Sequence, residues 1–123
     1  WLPVLMLVLP RVFGAPVHGV MLATPHIGMA QDIPDHRHTT RTMIVNPVLR
    51  MLYWNMNYHI EHHVFSQIPF HALPALHEAV RDQCPPPTQG IGRALAEIAT
   101  TINRQRQEPA YTTPRPLSGM SSA

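Results

Sequence analysis

The sequence contains no lysine, and it has a single cysteine among its 123 residues. Its nine strongly basic residues are all arginines, and with seven acidic residues they give a formal net charge of only +2. No run of basic residues supports binding to nucleic acid. Cys84 alone cannot form an intramolecular disulfide or a cysteine-based zinc or iron–sulfur site. The single cysteine therefore excludes disulfide-stabilised and cysteine-metal proteins, and the scattered arginines give nucleic-acid binding little support.

The N-terminal third also lacks an uninterrupted apolar run of the length that usually spans a membrane, about 20 residues. Residues 1–10 are wholly apolar, Arg11 interrupts them, and residues 12–30 are again mostly apolar. Membrane helices tolerate the prolines of this region better than soluble helices do. We therefore predict a membrane-embedded segment: the end of one helix, a break near Arg11, and a second helix leading to His26. The alternative is a buried helix pair in the core of a soluble protein.

The rest of the chain predicts an all-α fold with short helices. Residues 31–46 are polar and suit a loop at a water interface. Asn46-Pro47 is a typical helix start, and the helical spacing that follows predicts one helix through Phe65. A short helix is expected over residues 71–83 and an amphipathic one over 90–105. The Pro/Ser/Thr-rich segment after about Gln107 is expected to be disordered.

Histidine is abundant, with nine residues, and three of them lie in the stretch YHIEHHVF. On a helix, His59, His62 and His63 occupy positions i, i+3 and i+4, so their imidazoles point broadly the same way. Neutral imidazole is a common ligand of iron, zinc and copper. His62 and His63 diverge by about 100° around the helix axis, which suits two ions sharing the motif. The alternative is a polar helix face whose histidines bond to water or neighbours.

Other ionisable residues near this motif are weaker candidates. His26 lies at the end of the second apolar segment. Because an ionisable side chain in a membrane segment is a candidate functional residue, we expect His26 to be a further ligand. Glu61 does not fit the zinc-protease pattern, since the order is H-x-E-H-H. It could orient a ligand, but we favour a solvated position. We assign no metal to the remaining histidines, namely His18, His36, His38, His71 and His77.

Beyond these residues, a longer run has a recognisable pattern. It is DHRHTTRTMIVNPVLRMLYWNMNYHIEHHVFSQIPFHALPALHEAV, residues 35–80. This run resembles the C-terminal part of the membrane fatty acid desaturases, in particular a bacterial acyl-lipid-desaturase-like group. That family has three histidine boxes, and the last is H-x-x-H-H followed shortly by phenylalanine and proline. Here His59, His62, His63 and Phe65 match it, while Ser66 stands in place of the proline. The resemblance covers roughly residues 9–84.

The resemblance implies a function and its residues. It implies an O2-dependent enzyme with two iron ions, which introduces a double bond into the acyl chain of a membrane lipid. His59, His62 and His63 would be catalytic, and these three with His26 would bind metal. The electron donor would be a ferredoxin or a cytochrome b5-like protein, and no nucleic acid is involved. The protein would be integral to a membrane, the bacterial inner membrane, with its histidine site facing the cytoplasm.

The resemblance also predicts that the sequence is a C-terminal fragment, because the first two histidine boxes are absent. We expect residues 1–84 to be part of the desaturase domain. Residues 85–123 would be a Pro-rich linker, an amphipathic helix and a disordered tail. The fragment alone is expected to be inactive. Two alternatives stay open at this point: a related di-iron hydroxylase or carotenoid or sphingolipid oxygenase, and a non-catalytic histidine-rich metal-binding remnant.

Overall fold

Helices dominate the computed structural model, which describes residues 1–117. Within that range the helices are α1 (Leu2–Ala23), α2 (His36–Thr39), α3 (Pro47–Leu52), α4 (His59–Val64), α5 (Leu73–Val80) and α6 (Gly90–Gln105). Two-residue strands β1 (Met43–Ile44) and β2 (Thr88–Gln89) pair in parallel, and 3₁₀ turns flank α5 at Phe70–Ala72 and Arg81–Gln83. The all-α prediction is confirmed. The division of the chain after residue 84 stays a prediction.

Helix α1 is long and apolar enough to cross a membrane. An 18-residue stretch of it has a mean hydropathy of 1.6, and its 22 residues span about 33 Å against a hydrocarbon thickness of about 30 Å. Its apolar side chains are exposed along nearly the whole helix. The predicted break near Arg11 is wrong, because the helix continues through Pro10, Arg11 and Pro16. Each interior proline removes one backbone hydrogen bond, and the remaining bonds keep the turns together.

Helix α1 ends at Ala23, two residues before Pro25. A continuing helix would need the residue at 25 to donate an N–H to the carbonyl of Met21, and proline has none. The hydroxyl of Tyr53 donates to that carbonyl instead, at 2.9 Å, and it is buried there. Thr24 closes the last turn by donating both its N–H and its hydroxyl to Val20 O. The chain therefore leaves the helix immediately before His26.

The single helix predicted from Asn46 to Phe65 is wrong, because the structure has two. Asn46 does cap α3, accepting from the N–H of Leu49 at 2.9 Å. After α3, Trp54 and Asn55 both have left-handed backbone, with φ of 53° and 54°. Asparagine tolerates this region and tryptophan rarely adopts it. The two residues end the first helix and redirect the chain into α4.

A small polar core lies beneath α4. Asn57 is fully buried, and it exchanges bonds with Met43: the Asn57 side chain donates to Met43 O at 2.8 Å, and Met43 N donates to Asn57 O at 2.9 Å. Met43 is also the first residue of β1, where it pairs with Thr88 of β2. This core therefore ties the segment before α4 to the strand pair and, through β2, to α6.

The segment after α6 packs against the body as far as residue 117. The N–H of Thr113 donates to Gly28 O at 2.7 Å, and Gly28 has a φ of +79° that favours glycine. Arg115 donates to Glu97 at 2.6 Å, and Glu97 also pairs with the fully buried Arg41 at 3.3 Å. Disorder was expected from about Gln107, whereas residues 108–117 make these specific contacts. Residues 118–123 lie outside the described part of the chain.

Candidate metal centre

Three histidines converge near the end of α1: His26, which follows α1, and two histidines of α4, His59 and His63. Nε2 of His59 lies 2.8 Å from Nε2 of His26 and 3.2 Å from Nε2 of His63. One nitrogen from each of the three falls within 4.8 Å of the others. Nitrogens that share an ion at about 2.1 Å are about 3.0 to 3.4 Å apart, so the cluster has nearly the spacing of a ligand set.

Two local features place these side chains. His26 stands in the turn that follows α1, where its N–H donates to Ala23 O at 3.0 Å. His59 and His63 are one helical turn apart on α4, so they lie on the same face of it. Their ring centroids are 4.7 Å apart, and the ring of His26 stands edge-on to both. The cluster therefore needs both the end of α1 and the break before α4.

The environment keeps these imidazoles neutral. Burial lowers the pKa of His59 to about 3, and repulsion from the charge that His26, His63 and His62 carry when protonated adds to this effect. Burial likewise lowers the pKa of His63 and the pKa of His26. A neutral imidazole has a free lone pair, which is the form that binds a metal ion. The cluster is therefore ready to ligate at neutral pH without first losing protons.

His62 lies apart from this group. Its ring centroid is 5.9 Å from that of His59 and 5.8 Å from that of His63, and it is outside the set within 4.8 Å. Its Nδ1 is buried and has no hydrogen-bond partner among the described residues. The structure thus brings together three of the four predicted ligands, His26, His59 and His63, and His62 lies outside that group.

The other histidines have separate surroundings. His36 lies with its ring centroid 5.5 Å from that of His63, at the edge of the cluster. His38 is 3.8 Å from the carboxylate of Asp35. The ring of His71 contacts Phe70. None of these belongs to the converging set of the described residues.

Cavities lie on two sides of the cluster. One of about 450 Å³ is bordered by His26, His63 and His36, together with the loop at residues 30–33. An apolar one of about 320 Å³ reaches His59 and His62 from the side of α1 and Tyr53. A third, of about 440 Å³, continues from it along α1, and the lining residues of the two together are Phe13, Gly14, Val17, His18, Met21, Leu22, Leu49, Leu52, Tyr53, Trp54, Met56, His59 and His62. An apolar groove therefore leads to the histidines.

The position of Glu61 in the structure differs from the one expected from the sequence. The solvated position favoured for it is wrong, because its side chain is fully buried. It accepts a hydrogen bond from the Thr42 hydroxyl at 2.5 Å and pairs with His77 Nδ1 at 2.5 Å. That hydrogen bond raises the pKa of His77. The missed signal was geometric: Glu61 lies about 200° around α4 from His59 and from His63, so ligands facing one way put Glu61 on the opposite face.

Taken together, one potential membrane span and a candidate histidine metal site at its end define a class of membrane-associated helical protein. The family model for fatty acid desaturases matches residues 1–92, so the chain belongs to the fatty acid desaturase family. At the level of the family this means an oxidoreductase of lipid metabolism. No curated protein and no solved structure matches the chain.

Proposed function

We propose that this chain supplies part of the di-iron centre of an O2-dependent fatty acid desaturase, which introduces a double bond into the acyl chain of a membrane lipid. The observation that carries the proposal is the convergence of His26 with His59 and His63, inside the segment that matches the family. His62 completes the proposed ligand set, and His59, His62 and His63 are the proposed catalytic residues.

The residues present fit such a centre in part. Three neutral imidazoles at ligand spacing suit one ion. The buried Nδ1 of His62, which has no hydrogen-bond partner in the described part of the chain, suits a second position beside it. Histidine-bound iron, given O2 and electrons, supplies the oxidising power to remove hydrogen from an unactivated C–H bond. Two ions need more donors than these four histidines, and we propose that the others come from chain outside these 123 residues. On this view the 123 residues alone are inactive.

The apolar groove supports an acyl chain as the substrate. It runs along α1 from Phe13 to His59 and His62, and apolar side chains form most of its lining. An alkyl chain gains about 0.8 kcal/mol for each methylene that it buries in such surroundings. The role of the groove would be to hold the alkyl chain extended beside the histidines and to keep water away from it.

Location and electron supply follow from the same proposal. Helix α1 would cross the bacterial inner membrane, and the histidine cluster at its C-terminal end would face the cytoplasm. Most of the residues that border the cavity beside His26 and His36 are polar, which supports a water-facing side. Electrons would come from a ferredoxin or a cytochrome b5-like protein.

A chimera tests the function. Residues 1–92 would replace the matching segment of an active membrane desaturase, and fatty acid methyl esters of the host would be measured by gas chromatography. We expect new double bonds with the native segment and none with His63→Ala. The matched control is His71→Ala, an exposed histidine outside the cluster, which should keep the product. Product that persists in His63→Ala would refute the ligand assignment.

The 123 residues alone provide the second arm of this test. Expressed in the same host, they should add no double bond to its lipids, while iron analysis of the purified chain should show iron that His63→Ala loses. A new unsaturated fatty acid would overturn the inactive state proposed for this chain.

A further inference from the structure

The face of α4 opposite the metal cluster carries a buried charged residue that neither the family match nor the ligand set explains. Glu61 points away from His59 and His63, and its side chain has no exposed surface. Burying a carboxylate costs several kcal/mol unless it is paired and hydrogen-bonded. A leucine would fill this space without that cost, so the carboxylate is expected to have a positional role.

Its partners come from two different elements. The Thr42 hydroxyl donates to Oε2 of Glu61, and the same hydroxyl accepts from the N–H of Ile60 at 3.2 Å. On the other side, His77 of α5 bonds to Oε1, and the rings of His77 and Tyr58 are 5.1 Å apart. The carboxylate therefore joins the segment before β1, helix α4 and helix α5.

Helix α4 needs such an external anchor. It has six residues, fewer than two turns, and its N-cap residue, Tyr58, makes no side-chain capping bond. A helix this short has little stability of its own. A rotation by one position, about 100°, would carry His59 and His63 away from His26. The rotation of α4 about its axis thus decides whether the three nitrogens meet.

We propose that Glu61 and His77 are positioning residues, whose buried hydrogen bond, together with Thr42, holds α4 in the rotation that brings His59 and His63 to His26. The inference rests on the proposed metal centre and deepens it. Neither residue touches the metal, and both act through the two imidazoles on the opposite face of the helix.

Cobalt binding tests this inference, since Co²⁺ reports its ligand geometry through visible absorption. The full 123-residue chain in detergent micelles would be titrated with Co²⁺ alone. His77→Ala should weaken Co²⁺ binding about tenfold, the size found when a residue supporting a metal ligand is removed, and change the spectrum. His77→Asn keeps a donor near the position of Nδ1 and should restore both. His71→Ala, on the preceding 3₁₀ turn, is the matched control and should bind as the native chain does.

Glu61→Ala provides the same test from the carboxylate side, with Glu78→Ala, at an exposed acid next to His77 on α5, as its control. Circular dichroism checks that each variant keeps its helices, and if an alanine variant unfolds, His77→Asn against the native chain decides. A double variant separates positioning from general stability. In a chain that already lacks His63, His77→Ala should weaken Co²⁺ binding by much less than tenfold. If His77 only supported general stability, the loss of Co²⁺ affinity would be the same with and without His63.

The outcomes separate the two proposals. Co²⁺ binding that needs His63 but is unchanged by His77→Ala and Glu61→Ala overturns the positioning role and leaves the metal centre standing. A native chain that binds no Co²⁺, or binds it without need of His63, overturns the metal centre and the positioning role with it.

Discussion

At the scale of single residues, Tyr53 compensates for a proline. Pro25 leaves the carbonyl of Met21 without its helical donor, and the Tyr53 hydroxyl supplies one at 2.9 Å in a buried setting. Tyr53→Phe removes that donor and leaves a buried carbonyl unpaired. We expect the free energy of unfolding to fall by about 1 to 3 kcal/mol, measured by denaturant unfolding in detergent.

The control for this change is Tyr111→Phe. The Tyr111 hydroxyl only accepts a bond from the exposed Arg104, at 3.2 Å, so its loss should cost little. Equal losses in the two variants would mean that the Met21 carbonyl finds another donor.

Asp35 provides a test by pH. Hydrogen bonds from the Arg37 side chain, chiefly, lower the pKa of Asp35 from 3.8 to about 2. A carboxyl whose pKa is lower in the folded chain stabilises folding above pH 3.8, and that contribution is lost as the pH falls towards 2. The pair is partly exposed, so at pH 7 Asp35→Asn should cost less than about 1 kcal/mol.

Melting temperatures from pH 7 to pH 2 check this expectation, and the native and Asp35→Asn curves should converge at the acid end. Asp82→Asn, at a side chain that is 94% exposed, is the control and should follow the native curve throughout. A gap between the native and Asp35→Asn curves that persists at pH 2 would contradict the assignment.

The sequence predicted individual residues well where spacing alone decides. His59 and His63 share a helix face because they are one turn apart, and that periodicity is local. Burial of Glu61 depends on α5 packing against α4, which involves His77 sixteen positions later. No local pattern contains that contact, so the carboxylate looked like a surface residue.

At the scale of elements, the turn between α3 and α4 decides where the histidines lie. Asn55 has a left-handed backbone, and its side chain donates to Phe70 O at 3.0 Å. Asn55→Val places a β-branched residue in that conformation and removes the bond. The expected loss of stability is about 2 kcal/mol or more by thermal or denaturant unfolding, and metal binding should weaken in parallel.

Asn103→Val is the matched control, since Asn103 is exposed on α6 and the two residues have similar helix propensity. It should be nearly neutral. A neutral Asn55→Val would mean that the turn tolerates another backbone conformation.

Elements with a clear local signal were predicted almost to the residue. The amphipathic stripe predicted a helix over residues 90–105, and the structure has α6 at Gly90–Gln105. The break at Trp54 and Asn55 was missed because helical spacing continues across it, and no glycine or proline marks the turn. The continuity of α1 was missed for the opposite reason: Pro10 and Arg11 look like a break, and the helix tolerates both.

At the scale of the whole molecule, Glu97 joins three distant segments. It pairs with Arg41, which is fully buried, and with Arg115 in the C-terminal segment. Glu97→Gln leaves two largely buried guanidinium groups without their counter-charge. We expect the free energy of unfolding to fall by about 2 to 3 kcal/mol. This is less than the cost of breaking a fully buried ion pair, because the Glu97 side chain is 28% exposed.

Limited proteolysis provides a second measurement of this change. Release of the C-terminal segment should make residues 108–117 cleavable in Glu97→Gln and not in the native chain. Glu108→Gln, at an exposed acid on that segment, should change neither stability nor cleavage by a measurable amount. Rapid cleavage of the native chain in residues 108–117 would contradict the ordered packing.

Contacts between distant segments of the chain were the hardest feature to predict from the sequence. Composition indicated disorder after Gln107, because that stretch is rich in Pro and Thr, which pack poorly on their own. Residues 108–117 are instead held by single long-range bonds, such as that from Thr113 N to Gly28 O. His26 was expected to join the histidines of α4 because it is an ionisable residue at the end of an apolar segment, and the family resemblance added to that expectation. No local spacing predicts the contact, since His26 and His59 are 33 positions apart.

The convergence of His26 and His63 has a consequence for how long the protein survives. An ion held by both would join points 37 positions apart (63 − 26 = 37), as a cross-link does. The unfolded chain cannot hold the ion in this way, so uptake and folding become one equilibrium and stability rises with the free ion concentration. In a cell short of metal, the chain would open more often and be degraded sooner. Its abundance would then follow the metal supply without any dedicated regulator.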